Sequence, residues 1–160
     1  VPLLNETGQP LPQTDEVPNV ESASFKKRVA VLFQAIVDDR TDTADAAFFP
    51  VIAYEQVKAI EKPARDHKYR LLAAFHRTIH EYHRKVASVP GPVQFISFEP
   101  GTQPARWMKP GDEGNKLGYY RVLRTFLKYA DANGKQYRLG ITSMISWRGE
   151  WYVVHLDGFK

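Results

Sequence analysis

Three histidines, His76, His80 and His83, fall at i, i+4 and i+7, a spacing that turns imidazoles toward one side of a helix and could aim them at a single metal ion. A zinc site would need a further ligand, and no acidic partner to orient these rings is evident nearby in the sequence. Histidines at the boundary of an amphipathic helix are the commoner cause of such a pattern. A second group lies toward the C-terminus. Tyr120, Arg124, Thr142, Trp151, His155 and Asp157 would combine a guanidinium for an anion, a hydroxyl to orient it, an imidazole titrating near neutral pH and an aromatic floor. Asp112 and Glu113 are adjacent carboxylates in Pro110-Gly-Asp-Glu-Gly-Asn115, which reads as a turn and lacks the Lys and Ser/Thr of a phosphate loop. Ser143 and Ser146 have no nucleophile-elbow context. His155 and Asp157 lie two apart on one strand, about 7 Å along it, which is too far for a direct tight bond.

The second group can cooperate only if a sheet presents it on one face, and two reversals decide whether it does. Asp131-Ala-Asn-Gly-Lys135 predicts a three-residue hairpin loop over 132–134 with Gly134 in the left-handed region. Tyr129 then faces Tyr137, Leu127 faces Leu139, Thr125 faces Ile141 and Leu123 faces Ser143. A two-residue Asn-Gly turn would slip the register and set Lys128 against Leu139. Arg148-Gly149 predicts the second turn, pairing Trp147 with Glu150, Ile145 with Tyr152, Ser143 with Val154 and Ile141 with Leu156. One face then gathers Leu123, Leu127, Tyr129, Leu139, Ile141, Ile145, Tyr152, Val154 and Leu156 for burial. The other presents Tyr120, Ser146 and Trp151, then Val122, Met144 and Val153, then Arg124, Thr142 and His155, then Phe126, Gly140 and Asp157. That second face is the candidate small-molecule surface.

Upstream, Phe25, Val29, Leu32, Phe33, Ile36 and Val37 share one helical face, with Ser24 as the expected N-cap. A short helix over 43–49 or 45–49 is expected to stop at Pro50, and 54–60 has room for another turn or two. Pro63 suits the first turn of a longer helix with the stripe Leu72, Phe75, Ile79, Tyr82 and Val86, ended by Pro90-Gly-Pro92. Beyond residue 92 the period changes to two, which predicts strands over 93–98, 105–108, 119–129, 136–147 and 151–156. Helices first and strands after predict an α+β domain over 24–160, its N-terminal helices packed on a curved antiparallel sheet.

With 160 residues, 43% apolar, 25% charged and 12% aromatic, the chain has the balance of one globular domain with a single core. No apolar run approaches the length of a membrane span. Zero cysteines exclude disulfides, thiolate zinc sites and cysteine nucleophiles. Residues 1–23 hold Pro2, Pro10, Pro12 and Pro18 with only acidic charges and read as a flexible tether. Without those four acids the remainder carries 22 basic and 14 acidic residues, a net of +8. Such a surface attracts polyanions, although no basic run exceeds Lys26-Lys27-Arg28. Residues 58–85 alone hold eight basic and three acidic residues. The chain opens on Val-Pro, so a removed signal peptide or lipid anchor is expected to have preceded it, and with it a secreted or cell-envelope location.

Helices followed by a bent sheet ending in Ile145-Ser-Trp-Arg-Gly-Glu-Trp-Tyr-Val-Val-His155 resemble the nuclear-transport-factor-2-like, or cystatin-like, superfamily over about residues 24–158. The resemblance implies a cone-like roll. That superfamily includes ketosteroid isomerases, polyketide cyclases and many non-catalytic ligand-binding or assembly modules, and its enzymes place an acidic or His-Asp pair inside the cone. Phe48-Phe-Pro50, Tyr54-Glu-Gln-Val-Lys-Ala-Ile60 and the stretch 143–156 resemble uncharacterised exported proteins of actinobacteria, which carry no activity over. The expectation is a non-catalytic cell-envelope accessory or ligand-binding domain without a cofactor. Its partner would be a small molecule or an envelope protein, with no specific nucleic acid and with homodimerisation through the sheet as a further expectation. Two alternatives stand beside it: a small-molecule enzyme of cyclase or isomerase type using His155, and a polyanion-binding module using the basic helix 63–86.

Overall fold

The computed structural model describes residues 2–157. Ser22, in extended conformation, caps the first helix by accepting from the Phe25 N–H at 3.2 Å, two residues before the expected Ser24. Helix α1 (Ala23–Asp38) buries Phe25, Val29, Leu32, Phe33, Ala35 and Ile36. It ends at Asp39 (φ 54°), a left-handed residue whose N–H caps the last carbonyls. The Ser24 hydroxyl instead donates to Glu150 at 2.7 Å, beside the Arg28–Glu150 ion pair at 2.9 Å.

Helix α2 (Thr41–Ala44) tightens into a turn over Asp45–Ala47. Phe48 and Phe49, expected to be helical, run extended because the sheet uses their backbone: Phe48 bridges Val153 in parallel, and the Phe49 N–H donates to the Val153 carbonyl at 2.9 Å. Helix α3 (Val51–Val57) follows Pro50, earlier than expected. Helices α4 (Pro63–Asp66) and α5 (Ala73–Ala87) flank a π-helical turn over His67–Leu72. Its wider turn shifts the helical phase, so Leu71 is buried while Leu72 is only half-buried; Phe75, Ile79, Tyr82 and Val86 are buried.

Strands β1 (Gln94–Glu99), β2 (Arg106–Met108), β3 (Tyr119–Ala130), β4 (Gln136–Trp147) and β5 (Glu150–His155) form an open antiparallel sheet. Its order is β1-β3-β4-β5, with β2 also on β3. Helices precede strands, and the architecture is α+β. Phe33 joins the layers, stacking on Phe95 at 5.2 Å and tilting against Tyr129 at 5.4 Å.

The first hairpin has the expected register: Tyr129 faces Tyr137, Leu127 faces Leu139, Thr125 faces Ile141 and Leu123 faces Ser143, with Gly134 at φ 85°. The second begins as expected, Trp147 with Glu150 and Ile145 with Tyr152, through Arg148 and Gly149, both left-handed. It then departs. An irregularity beyond Met144 leaves Val154 as an extra residue, so Ser143 pairs with His155 and not with Val154. The expected row of Arg124, Thr142 and His155 is thereby replaced by a row of Leu123, Ser143 and His155.

The face expected to lie open is also covered at this end. Met144, Ser146, Trp151 and Val153 are all buried. The Arg28 guanidinium reaches the Trp151 carbonyl at 3.3 Å. The segment read as a tether contributes too: Gln13 donates to the Ser146 carbonyl at 3.0 Å and accepts from the Arg148 N–H at 2.7 Å. Among the described residues no helix is long and apolar enough to cross a membrane.

Candidate functional site

Of the six expected site residues, only His155 reaches a cavity rich in ionisable groups. Arg124 is exposed, with its backbone in the left-handed region (φ 57°) and Gly101 packed against its carbonyl. The Thr142 hydroxyl and N–H both donate to the Leu156 carbonyl, at 3.1 and 3.0 Å. Tyr120 lies edge-on to Trp107 with ring centroids 4.8 Å apart. Trp151 is buried and Asp157 is exposed. The structure therefore does not bring these residues together, because the extra residue at Val154 sends His155 to the opposite face.

The three helix histidines do not converge either. His76 Nε2 lies 2.6 Å from Asp45, His80 Nδ1 lies 2.6 Å from Asp39, and His83 Nδ1 lies 3.0 and 3.1 Å from the Ile36 and Val37 carbonyls. Each ring joins α5 to a different point on the α1–α2 layer. Among the described residues no cluster of three or more His, Asp or Glu could hold a metal ion. The acidic partners missing from the local sequence are Asp39 and Asp45, supplied by another part of the chain.

The face that receives His155 borders a cavity of about 240 Å³ between α3, the π-helical turn and the sheet. Helix α3 contributes Tyr54, and Lys58, the extended residue that caps its C-terminus, lies beside it. The π-helical turn contributes Arg70 and Leu71. It is pinned to α3 by buried His67, whose Nε2 lies 2.7 Å from the Phe49 carbonyl and whose ring sits between Phe48 and Tyr54. Alternate residues of β3 supply Tyr119, Arg121 and Leu123, and β4 supplies Ser143 and Ile145. Glu113 arrives on the loop before β3.

That loop is held by a buried side chain. Asn115 donates through Nδ2 to the Met108, Lys109 and Leu117 carbonyls at 3.3, 3.2 and 2.8 Å and accepts from the Glu113 N–H at 3.0 Å. Two backbone bonds, Ala59 N–H to Gly114 at 3.0 Å and Lys116 N–H to Val57 at 2.7 Å, strap the loop to the end of α3. Glu113 thus lies over the cavity, accepting from the Tyr119 hydroxyl at 2.7 Å and pairing with Arg121.

The electrostatics are unevenly matched. Arg70 grips Asp66 with two bonds of 2.7 Å, and Tyr54 donates to the same carboxylate. Arg70 therefore holds Asp66 below the usual carboxylate range. Burial pushes the Tyr54 and Tyr119 hydroxyls up, and their carboxylate partners add to it. Lys58 Nζ donates to the Glu113 backbone carbonyl at 3.2 Å and lies 5.7 Å from the centre of the Tyr119 ring. Among the described residues no carboxylate comes within ion-pair distance of it. Burial lowers the Lys58 ammonium, with Arg70 adding to the effect against the pull of Glu113 and Asp66. His155 is lowered by burial, then by Arg70 and Lys58. The buried Arg121 Nε has no hydrogen-bond partner among the described residues.

Lys58, Arg70, Tyr119 and Arg121 are absent from the sequence-based candidates, and Glu113 figures there only as one of two adjacent carboxylates on a turn. Their signals are faint: Tyr119 and Arg121 alternate along one strand and Tyr54 and Lys58 are four residues apart, but only the tertiary fold brings the two sets together. A larger hollow of about 460 Å³, between the leader, the loop over 100–105 and Trp151, has no ionisable lining residue and so no comparable chemistry. No family model matches this chain, and comparison with curated proteins and with solved structures likewise finds no match.

Proposed function

We propose that this domain binds a small amphipathic anion, such as an organic carboxylate or phosphate, in the cavity beneath Lys58 and Arg121. One observation carries the reading. Lys58, Arg70, Arg121 and His155 converge on a space whose lining carboxylate, Glu113, is already engaged by Arg121 and Tyr119. A half-buried ammonium with no carboxylate at ion-pair distance among the described residues is costly, and an anion beside it would relieve that cost. The Arg121 guanidinium, whose buried Nε has no partner among the described residues, lines the same space and is suited to a charge-assisted bond with the anion. Leu71, Leu123, Ile145 and Val154 supply the apolar wall for the rest of the ligand, and the modest volume favours a small one. The cystatin-like roll is the finer reading of the α+β fold that accompanies this proposal, supported by helices leading into an antiparallel sheet with a cavity between them.

The test is thermal stabilisation by acetate, propionate, benzoate, phosphate and sulfate at constant ionic strength. A ligand at a hundred times its dissociation constant adds about 2.7 kcal/mol of stability, which is readily visible as a rise in Tm. At least one of these anions is expected to raise the Tm of the natural chain, and Lys58→Met and Arg121→Gln are expected to abolish that rise. Equal responses in the natural chain and both variants, or no response to any anion, overturn the reading.

A further inference from the structure

We propose that the Lys58 amine condenses reversibly with a small oxo acid, a ketone or aldehyde bearing a carboxylate, to form an imine inside this cavity. The inference rests on the anion-binding reading and adds a covalent step to it. Three features of the geometry point to it. The amine is placed on the cavity wall by the residue that caps α3, and its hydrogen bond runs to a backbone carbonyl, an acceptor that a neutral amine satisfies as well as an ammonium does. Two guanidiniums, Arg70 and Arg121, share the cavity with it, and Arg121 has a donor without an acceptor. A carboxylate on Arg121 would bring the adjacent carbonyl carbon toward the lysine. Finally, apolar side chains from the π-helical turn and from β3, β4 and β5 border the site, so that water, which would hydrolyse an imine, is partly excluded.

The same features favour the reactive form of the amine. Burial, the first condition that turns a lysine into a nucleophile, acts on Lys58, and Arg70 adds to it against the stronger opposing pull of Glu113. In the step itself the Nζ lone pair forms a bond to the carbonyl carbon while the C=O π pair moves to oxygen, which takes a proton. The nitrogen then loses a proton and the carbinolamine hydroxyl, protonated by His155 or by solvent, leaves as water as the C=N bond forms. Oxo acid plus amine gives imine plus water, with no oxidant or reductant required. The hydroxyls of Tyr54 and Tyr119 donate to Asp66 and Glu113, and His155 on the same wall carries an imidazole, the side chain chemically suited to proton transfer near neutral pH.

The experiment is reductive trapping. The full chain is incubated with pyruvate and cyanoborohydride at neutral pH, digested, and the carboxyethyl adduct mapped by mass spectrometry. Lys58 is expected to be labelled at least about tenfold faster than any exposed lysine, the advantage of a positioned amine, and excess propionate is expected to compete. Arg121→Gln is expected to slow labelling at Lys58 while leaving the exposed lysines unchanged. Labelling spread evenly over the exposed lysines, or absent from Lys58, overturns the imine. If propionate still raises the Tm in that case, the anion site stands and only the covalent step falls. If propionate and the other anions all fail to stabilise the chain, both readings fall together.

Discussion

Lys58 and His155 compete for protons in one confined space, and that competition is measurable. The imidazole is held below its ordinary 6.5 by burial first and by the charges of Arg70 and Lys58 next. The unfolded chain therefore binds the proton more readily than the folded one, and stability is lost as the pH falls through 6.5 toward the lower folded value. The loss of Tm between pH 7 and pH 5 is expected to be smaller in His155→Gln than in the natural chain. Removing one of the two positive neighbours is expected to relax the shift. In Lys58→Met the His155 midpoint, followed by its ring proton resonances, should move upward toward the unperturbed value; a midpoint that stays put or falls would show that Lys58 does not act on this ring. An anion bound in the cavity is expected to move the midpoint the same way, because it offsets the same positive potential.

The loop and strands that deliver these side chains differ in how openly their sequence declares them. The hairpin at 131–135 could be read outright, since only a bulged loop keeps Tyr129, Leu127 and Thr125 in phase with Tyr137, Leu139 and Ile141. The α1 stripe and the five strand positions were equally plain, because burial of one face imposes its period on composition. Two local insertions were hidden. The π-helical turn exchanges Leu72 for Leu71 and the extra residue at Val154 exchanges one face of β5 for the other. Both follow from tertiary demands: His67 must reach the Phe49 carbonyl, and β5 must serve β4 on one side and Phe48 on the other. The site inherited that error, because a face assignment is binary and one inserted residue inverts it. The loop over 110–116 was legible as a loop but not as a carrier of Glu113, since its strapping to Val57 and Ala59 links residues far apart in sequence. Asn115→Ala should strip the Met108 and Leu117 carbonyls of their side-chain donor and cost about 1–3 kcal/mol, measurable by urea unfolding. The same variant should weaken any anion response by releasing Glu113; full stability would refute the hub role assigned to Asn115.

Across the molecule, the α1–β5 junction is the place where one substitution should reach furthest. Arg28 and Glu150 are about nine-tenths buried, and Arg28 also stacks over the Tyr152 ring at 4.6 Å. Arg28→Met strands a buried carboxylate and is expected to cost roughly 3–5 kcal/mol, whereas Arg28→Met with Glu150→Gln should recover part of it by removing the stranded charge. Equilibrium unfolding of the two variants separates the penalty of an orphan charge from lost packing; equal losses in both would assign the effect to packing alone. The basic excess of 58–85 faces outward through Arg65, Lys68, Arg77, Arg84 and Lys85, so any attraction to polyanions belongs to this outer surface and should fade with salt, unlike binding inside the cavity.

The bridge between Phe48 and Val153 joins the first third of the chain to its last few residues. During synthesis the segment before α3 is made long before the edge that will accept it, and α1 likewise precedes the Glu150 carboxylate it grips. The early helices therefore emerge before the strands they will pack on, and consolidation of this junction waits until the β4–β5 hairpin has left the ribosome. A fold built this way stays pliable until that edge is in place.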